Sequence, residues 1–90
     1  MATANVFQDP ENRKKTKFLK ELGGHIKALR MANELTAAEM GRRLGMERSH
    51  VSRLESGGTN PSAFLIYKIC VVLKISLAEF WDRFKKISSE

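Results

Sequence analysis

Thr36-Ala-Ala-Glu-Met-Gly-Arg-Arg-Leu-Gly-Met-Glu-Arg-Ser-His-Val-Ser-Arg-Leu-Glu55 is the stretch that decides the fold. Thr36 and Glu39 have the spacing at which a hydroxyl and a carboxylate satisfy each other's backbone N–H at a helix start. This box opens a short helix ending at Leu44, with Met40 and Leu44 inward. Gly45 stops it, because glycine enters the left-handed region at little cost. A second short helix follows over about residues 47–56, with Val51 and Leu54 inward. Neither helix is long enough to be stable in isolation, so both depend on packing. Gly41 lies four residues before the turn, on the face that meets the second helix, where a missing side chain permits close approach. Val51 fills the gap from the other side, and the outer face of the second helix is left to solvent.

On the N-terminal side, Phe18, Leu22, Ile26 and Leu29 are spaced four, four and three apart, which predicts a core helix over 17–32 with Asn33 as its C-cap. Gly23-Gly24 weaken that helix locally. Asp9-Pro10-Glu11 looks like a separate helix start, with Asp9 as N-cap and Pro10 in the first turn, running towards Thr16. Residues 1–8 show no period. Residues 1–16 therefore read as a basic arm or short helix ahead of a domain over 17–90. On the C-terminal side, Gly57-Gly58 ends the second short helix and Thr59-Asn60-Pro61 forms a loop. Ser62 caps a fourth helix reaching Leu73, with Ile66, Ile69, Cys70 and Leu73 inward. Ser76 and Glu79 form a second capping box, opening a helix with Leu77, Phe80, Trp81, Phe84 and Ile87. No alternating strand pattern and no repeat is visible. The fold class is all-α, a compact bundle of five main helices.

Ninety residues make one domain and leave no length for two layers around a catalytic cleft. At 42% hydrophobic the chain should fold without a metal or disulfide. Its single cysteine, Cys70, has no internal partner, which fits a reducing cytoplasm. No apolar run approaches the ~20 residues that span a membrane, and residues 1–12 lack the charged start and apolar block of a secretory leader. There is no nucleophile–base pair and no phosphate-cradling glycine loop, so an enzyme is not expected. His25 and His50 lie far apart without a cysteine or carboxylate cluster, so neither metal nor cofactor is expected. The net charge of +6 suits a polyanionic partner. Arg13, Lys14, Lys15, Lys17 and Lys20 crowd the N-terminal third, and Arg42, Arg43, Arg48 and Arg53 the centre.

An α-helix fits the major groove of B-DNA, and the segments around the helix pair carry a resemblance. Ile26-Lys-Ala-Leu-Arg30, Leu35-Thr36, Leu44-Gly45-Met46, Val51-Ser-Arg-Leu-Glu55, Gly57, Asn60-Pro61-Ser62 and Ser76-Leu-Ala-Glu-Phe80 resemble the lambda-repressor-like, Xre or Cro-type, helix-turn-helix family. They cover about two thirds of the chain, in order and spacing. The resemblance implies a sequence-specific transcriptional regulator of double-stranded DNA, a repressor in a bacterium or phage, reading the groove with the helix over 47–56. Arg48, Ser49 and Arg53 fall where related repressors place base-contacting side chains, and His50 and Ser52 share or flank that face. Phosphate contacts are expected from the helix start at Thr36 and Ala37, from Arg42, Arg43, Thr59 and Asn60, and from Ser49. Similar proteins often open this helix with a glutamine that touches the DNA backbone; here Ala37 stands in that place. Arg30 and Glu55 match a partly buried ion pair, and Cys70 replaces a common alanine as a small buried thiol. Phe64, Leu65 and Val71 stand where the family commonly has polar residues, and Trp81, Phe84 and Ile87 extend the last helix beyond its usual end. Phe64, Trp81, Phe84 and Ile87 are accordingly expected at a homodimer interface. A twofold dimer would present two reading helices about 34 Å apart to a near-palindromic operator.

Two other functions fit the residues. An antitoxin-type autorepressor would use the apolar C-terminal face to bind a toxin, and an interaction module on the same fold would bind a protein partner and hold DNA weakly, as Ala37 suggests. The basic N-terminal segment has two readings, a grip on the DNA backbone or a solvated face packed on the core.

Overall fold

The computed structural model describes residues 10–88. Among these, five helices run in the order α1 (Pro10–Ala32), α2 (Ala37–Leu44), α3 (Arg48–Glu55), α4 (Ala63–Leu73) and α5 (Leu77–Ile87), and no strand is formed. The N-cap expected at Asp9 lies outside the described residues.

The short helix and core helix expected before residue 33 are one helix of 23 residues. No proline or glycine interrupts residues 11–22, so nothing breaks the hydrogen-bond ladder once Pro10 has started it. Its buried side is Leu19, Leu22, Gly23, His25, Ile26 and Leu29. Phe18, expected inward, is 44% exposed; it lies at the rim, edge-on to Phe84 with ring centroids 5.5 Å apart. The helix ends through Asn33, whose side-chain amide donates to the Leu29 carbonyl at 2.9 Å, and Glu34, which takes the left-handed conformation (φ 59°).

The capping box at α2 is complete. The Thr36 hydroxyl accepts from the Glu39 N–H at 3.0 Å, and the Glu39 carboxylate accepts from the Thr36 N–H at 2.9 Å. Those bonds hold the Glu39 carboxyl below its ordinary pKa. The box expected at α5 is half formed: Ser76 accepts from the Glu79 N–H, while the Glu79 carboxylate takes Arg83 one turn on. Ser62 caps α4 by accepting from the Leu65 N–H.

The core joins Leu22, Ile26 and Leu29 of α1 to Met40 and Leu44 of α2, Leu54 of α3, Ile66, Ile69, Cys70 and Leu73 of α4, and Phe80 and Phe84 of α5. His25 belongs to this interior. Its Nε2 meets the Phe80 carbonyl oxygen at 3.0 Å and its ring leans on Phe80 at 4.7 Å. Burial, and secondarily the charge of Arg83, depress its pKa against the opposing effect of the Phe80 bond. Leu65 packs against the core. Phe84, expected at an interface between chains, is buried at 7% exposure. It stands one helical turn after Phe80, on the arc facing α1, and its ring touches Phe18, His25 and Trp81. Phe84 is therefore a core residue; Phe64, Trp81 and Ile87 remain exposed at 66%, 39% and 62%.

Candidate nucleic-acid interface

The turn between α2 and α3 is built from backbone contacts. Gly45 is left-handed at φ 76°, and the Met46 N–H reaches back to the Gly41 carbonyl at 2.8 Å. A Cβ on Gly41 would stand 2.6 Å from the Met46 oxygen, so only glycine fits there. Val51 is fully buried beneath the turn. The helix pair thus closes as the sequence implies.

A second close approach fixes α3 against α1. A Cβ on Gly23 would lie 2.5 Å from the carbonyl oxygens of both Leu54 and Glu55. Arg30 then clamps the same end of α3. Its Nε donates to Glu55 Oε2 at 2.7 Å and its Nη2 to Oε1 at 3.1 Å, a two-pronged pair, while Nη1 donates to the Leu35 carbonyl at 2.6 Å. The hydrogen bond to Glu55 raises the Arg30 pKa further. The side chains are 11% and 6% exposed, so the expected ion pair is present and largely shielded from water. One guanidinium thereby joins α1, the 33–36 turn and α3.

With Val51, Leu54 and Glu55 turned inward, the remaining arc of α3 faces solvent. Arg48, Ser49, Ser52 and Arg53 line one shallow hollow with Glu47. His50 is exposed but does not share that hollow. At about 100° per residue it stands on the opposite flank of the arc from Arg48 and Ser52. Arg42, Arg43, Arg48 and Arg53 are all exposed, and none has a salt bridge among the described residues. Four guanidinium groups on one helix pair are thus outside any ion pair among the described residues; Glu39 is the carboxylate that feels the charge of Arg42 and Arg43, and Glu47 the one that lines the hollow with Arg48 and Arg53.

The phosphate candidates fall around this face. At the start of α2, the Thr36 hydroxyl is committed to its cap, so the first helical N–H groups, at Ala37 and its neighbour, are what that end offers an anion. Ala37 borders a second hollow shared with Lys27, Arg30, Ser52, Glu55 and Ser56. A longer side chain at position 37 would enter that space beside Ser52. Thr59 is half-buried and Asn60 exposed in the loop after α3. Lys27 was not among the residues singled out from sequence. Its place on the α3 side follows from its position one turn after Gly23, which becomes informative only once Gly23 is known to face α3.

A family model described as helix-turn-helix matches residues 26–80. This chain belongs to the lambda-repressor type of helix-turn-helix family. It is 36% identical over 58 residues to the antitoxin PezA of Streptococcus pneumoniae serotype 4 (strain ATCC BAA-334 / TIGR4). It is 34% identical over 58 residues to the ImmF control region 10 kDa protein of Bacillus phage phi105. Each match takes in 64% of this chain but only 37% of the antitoxin and 64% of the phage protein, less than two thirds of either relative. Among solved structures, it resembles the restriction-modification controller protein C.AhdI from Aeromonas hydrophila, with TM-score 0.67 and 30% identity, over 71% of this chain and 97% of that one. It shares its fold with the clp gene regulator ClgR from Corynebacterium glutamicum, with TM-score 0.70 and 22% identity, over 74% and 71% of the two chains. No helix among the described residues is long and apolar enough to cross a membrane.

Proposed function

We propose that this helix-turn-helix protein is a sequence-specific regulator of transcription that lays α3 in the major groove of double-stranded DNA, acting as a repressor. The observation that carries this reading is the exposed face of Arg48, Ser49, Ser52 and Arg53, its two arginines in no ion pair among the described residues, on a helix whose other side is locked to the frame. Arg48, at the first turn of α3, reads a guanine through a bidentate contact to O6 and N7; Arg53 and Ser49 read neighbouring bases, with Ser52 and His50 at the edges. Arg42, Arg43, Thr59, Asn60 and the amides at the start of α2 hold the phosphates and fix the register. The relatives support a regulatory role through a phage control-region protein and a restriction-modification controller.

The active form is a homodimer that covers the exposed Phe64, Trp81 and Ile87 of α4 and α5. Such a dimer binds a near-palindromic operator. A second reading, the DNA-binding half of an antitoxin, is favoured by the match to PezA; there the same apolar side chains would hold a toxin. Copurification of a toxin from the native host, lost on Ile87→Ser, distinguishes it from self-association.

Selection of bound duplexes from a random pool tests the main reading. A motif should emerge, with affinity falling steeply as salt rises. Arg48→Ala should relax one base position at a cost of about 1–3 kcal/mol, whereas Arg43→Ala should weaken all sequences alike. Flat, weak binding to every duplex would overturn the proposal, and uniform loss from Arg48→Ala would remove that residue as a reader.

A further inference from the structure

α1 is longer than its packing requires. Its 23 residues extend about 34 Å, yet the first buried side chain is Leu19. No side chain over residues 10–18 is buried, so about 13 Å of helix carries only exposed or rim side chains, Phe18 at its end resting on Phe84. Burial does not explain that segment.

Its position relative to α3 is fixed by three contacts along one side. Lys27 shares the hollow beside Ala37, Ser52 and Ser56. Gly23 abuts the last carbonyls of α3. Further towards the N-terminus, a Cβ on Gly57 would stand 2.9 Å from Lys20 Cα and from its Cγ, so the base of Lys20 is seated on the loop that follows α3. α1 therefore runs beside the helix pair as far as Gly57, two residues before Thr59, for which a phosphate contact is proposed.

The charge along this side is predominantly positive. Arg13, Lys20 and Lys27 are seven residues apart, and a seven-residue step drifts only about 20° around a helix. They form a stripe about 21 Å long. Positions 16 and 24 within it are threonine and glycine; the carboxylates bordering it are Glu21, paired with Lys17, and Glu55, paired with Arg30. Lys17 adjoins the stripe near Arg13, Thr16 and Lys20, tied weakly to Glu21 by an exposed pair at 3.4 Å. Lysine ammonium groups on flexible stems are suited to phosphate oxygens rather than to base edges.

We propose that the Arg13–Lys20–Lys27 stripe is a second DNA-binding surface, a rail on α1 that grips the phosphodiester backbone flanking the bases read by α3. It rests on the reading of α3 as the groove-binding helix. The rail adds affinity without sequence preference and lengthens the footprint of each half-site by about four base pairs, the ~13 Å of projecting helix divided by 3.4 Å per pair.

The test uses the full chain and a duplex recovered by selection, once trimmed to the selected motif and once carrying ten-base-pair unselected flanks. Arg13→Gln with Lys20→Gln removes two charges at the projecting end and keeps the stem that packs at Gly57. Lys85→Gln with Lys86→Gln on α5 removes the same net charge elsewhere. Two lost phosphate contacts lower the log–log salt slope by about 1.8, so the drop in affinity between roughly 50 and 200 mM salt shrinks by about 12-fold. The flank-dependent gain in affinity should vanish in the α1 pair, with the selected motif unchanged, and persist in the α5 pair. If the α1 pair binds the same motif with the wild-type slope and the wild-type gain from flanks, the rail is only a solvated face and the α3 reading stands. Equal effects from both pairs also overturn the rail, leaving only long-range charge. If the wild-type protein selects no motif, the α3 reading falls and the rail with it.

Discussion

Alanine at Gly23 and alanine at Gly24 add the same methyl group to consecutive residues of α1, and the structure assigns them opposite signs. At Gly24 nothing lies within 4 Å of the new Cβ. The change there removes only backbone freedom from the unfolded chain, worth about 1 kcal/mol in a helix interior. At Gly23 the same gain meets two carbonyl oxygens at 2.5 Å and the Glu55 carbonyl carbon at 2.8 Å. These are main-chain atoms of α3, so relief requires α1 and α3 to part by about 1 Å. Overpacking of this kind costs about 1–3 kcal/mol, and the high end applies because no flexible side chain can yield. Parting the helices also lengthens the 2.7 Å contact between Arg30 and Glu55. The net expectation is that Gly23→Ala is destabilised by about 1–2 kcal/mol while Gly24→Ala gains about 1. For a domain of this size the two melting midpoints should differ by on the order of 10–20 °C, measured by circular dichroism on matched samples. Gly23→Ala should also bind duplex more weakly at a temperature where it is folded, since α3 has moved on its frame. A Gly23→Ala protein as stable as Gly24→Ala would refute the claim that α1 and α3 meet backbone to backbone.

Glu55→Ala should cost about 3 kcal/mol in urea unfolding, because it strands the shielded Arg30 guanidinium; a loss under 1 kcal/mol would show the pair to be solvated. His25 is held neutral in the fold with its pKa lowered, so the unfolded chain binds the extra proton. Its contribution is therefore complete above the ordinary histidine pKa of about 6.5 and is lost as pH falls through that value towards the depressed one; His25→Gln should flatten the stability–pH curve in that window, seen in urea titrations at several pH values. Burial raises the Cys70 thiol pKa, so a thiol reagent at neutral pH should label the folded protein far more slowly than the urea-unfolded chain. Equal labelling rates would place Cys70 outside the core.

The helix pair was legible because its signals are local. Thr36 with Glu39, Gly45 after Leu44, and Gly41 opposite Val51 each act within a few residues of one another. The Arg30–Glu55 pair was legible only through resemblance, since 25 residues of sequence separate its members. Other features had no local signal. Gly23 and Gly24 look alike in sequence, and only the arrival of α3 distinguishes them. The helix pattern around Phe18 marks an apolar stripe, yet the stripe turns inward one residue later, at Leu19. His25 falls on the same arc as Leu22 and Leu29, but its polar side chain hides a core position. In α5, five large apolar residues in eleven positions cannot all face inward, and composition does not say that Phe80 and Phe84 win over Trp81 and Ile87. For the base and phosphate roles, the sequence supplied candidates, and the fold groups Arg48, Ser49, Ser52 and Arg53 apart from His50.

The division between frame and face explains how such a domain can change its target without losing its fold. The pose of α3 depends on Gly23, Gly41, Val51 and the Arg30–Glu55 pair, all of which touch other parts of the chain. The solvent-facing side chains of Arg48, Ser49, Ser52 and Arg53 are exposed and make no ion pair among the described residues. Exposed substitutions of this type usually stay within about 0.5 kcal/mol in stability, whereas one base contact is worth about 1–3 kcal/mol of discrimination. Changes at the face can therefore alter specificity by about 5-fold to 150-fold at almost no cost to folding. Ala37 sits at the border of the two sets. It opens α2, yet the hollow it lines also touches Ser52 and the Arg30–Glu55 pair. A larger polar residue there would couple the phosphate contact proposed for α2 to the side of α3. On the proposed reading, alanine there leaves the two helices to contact DNA more independently, and the backbone affinity that position 37 does not supply would fall to Lys27 beside that hollow and the α1 stripe beyond it.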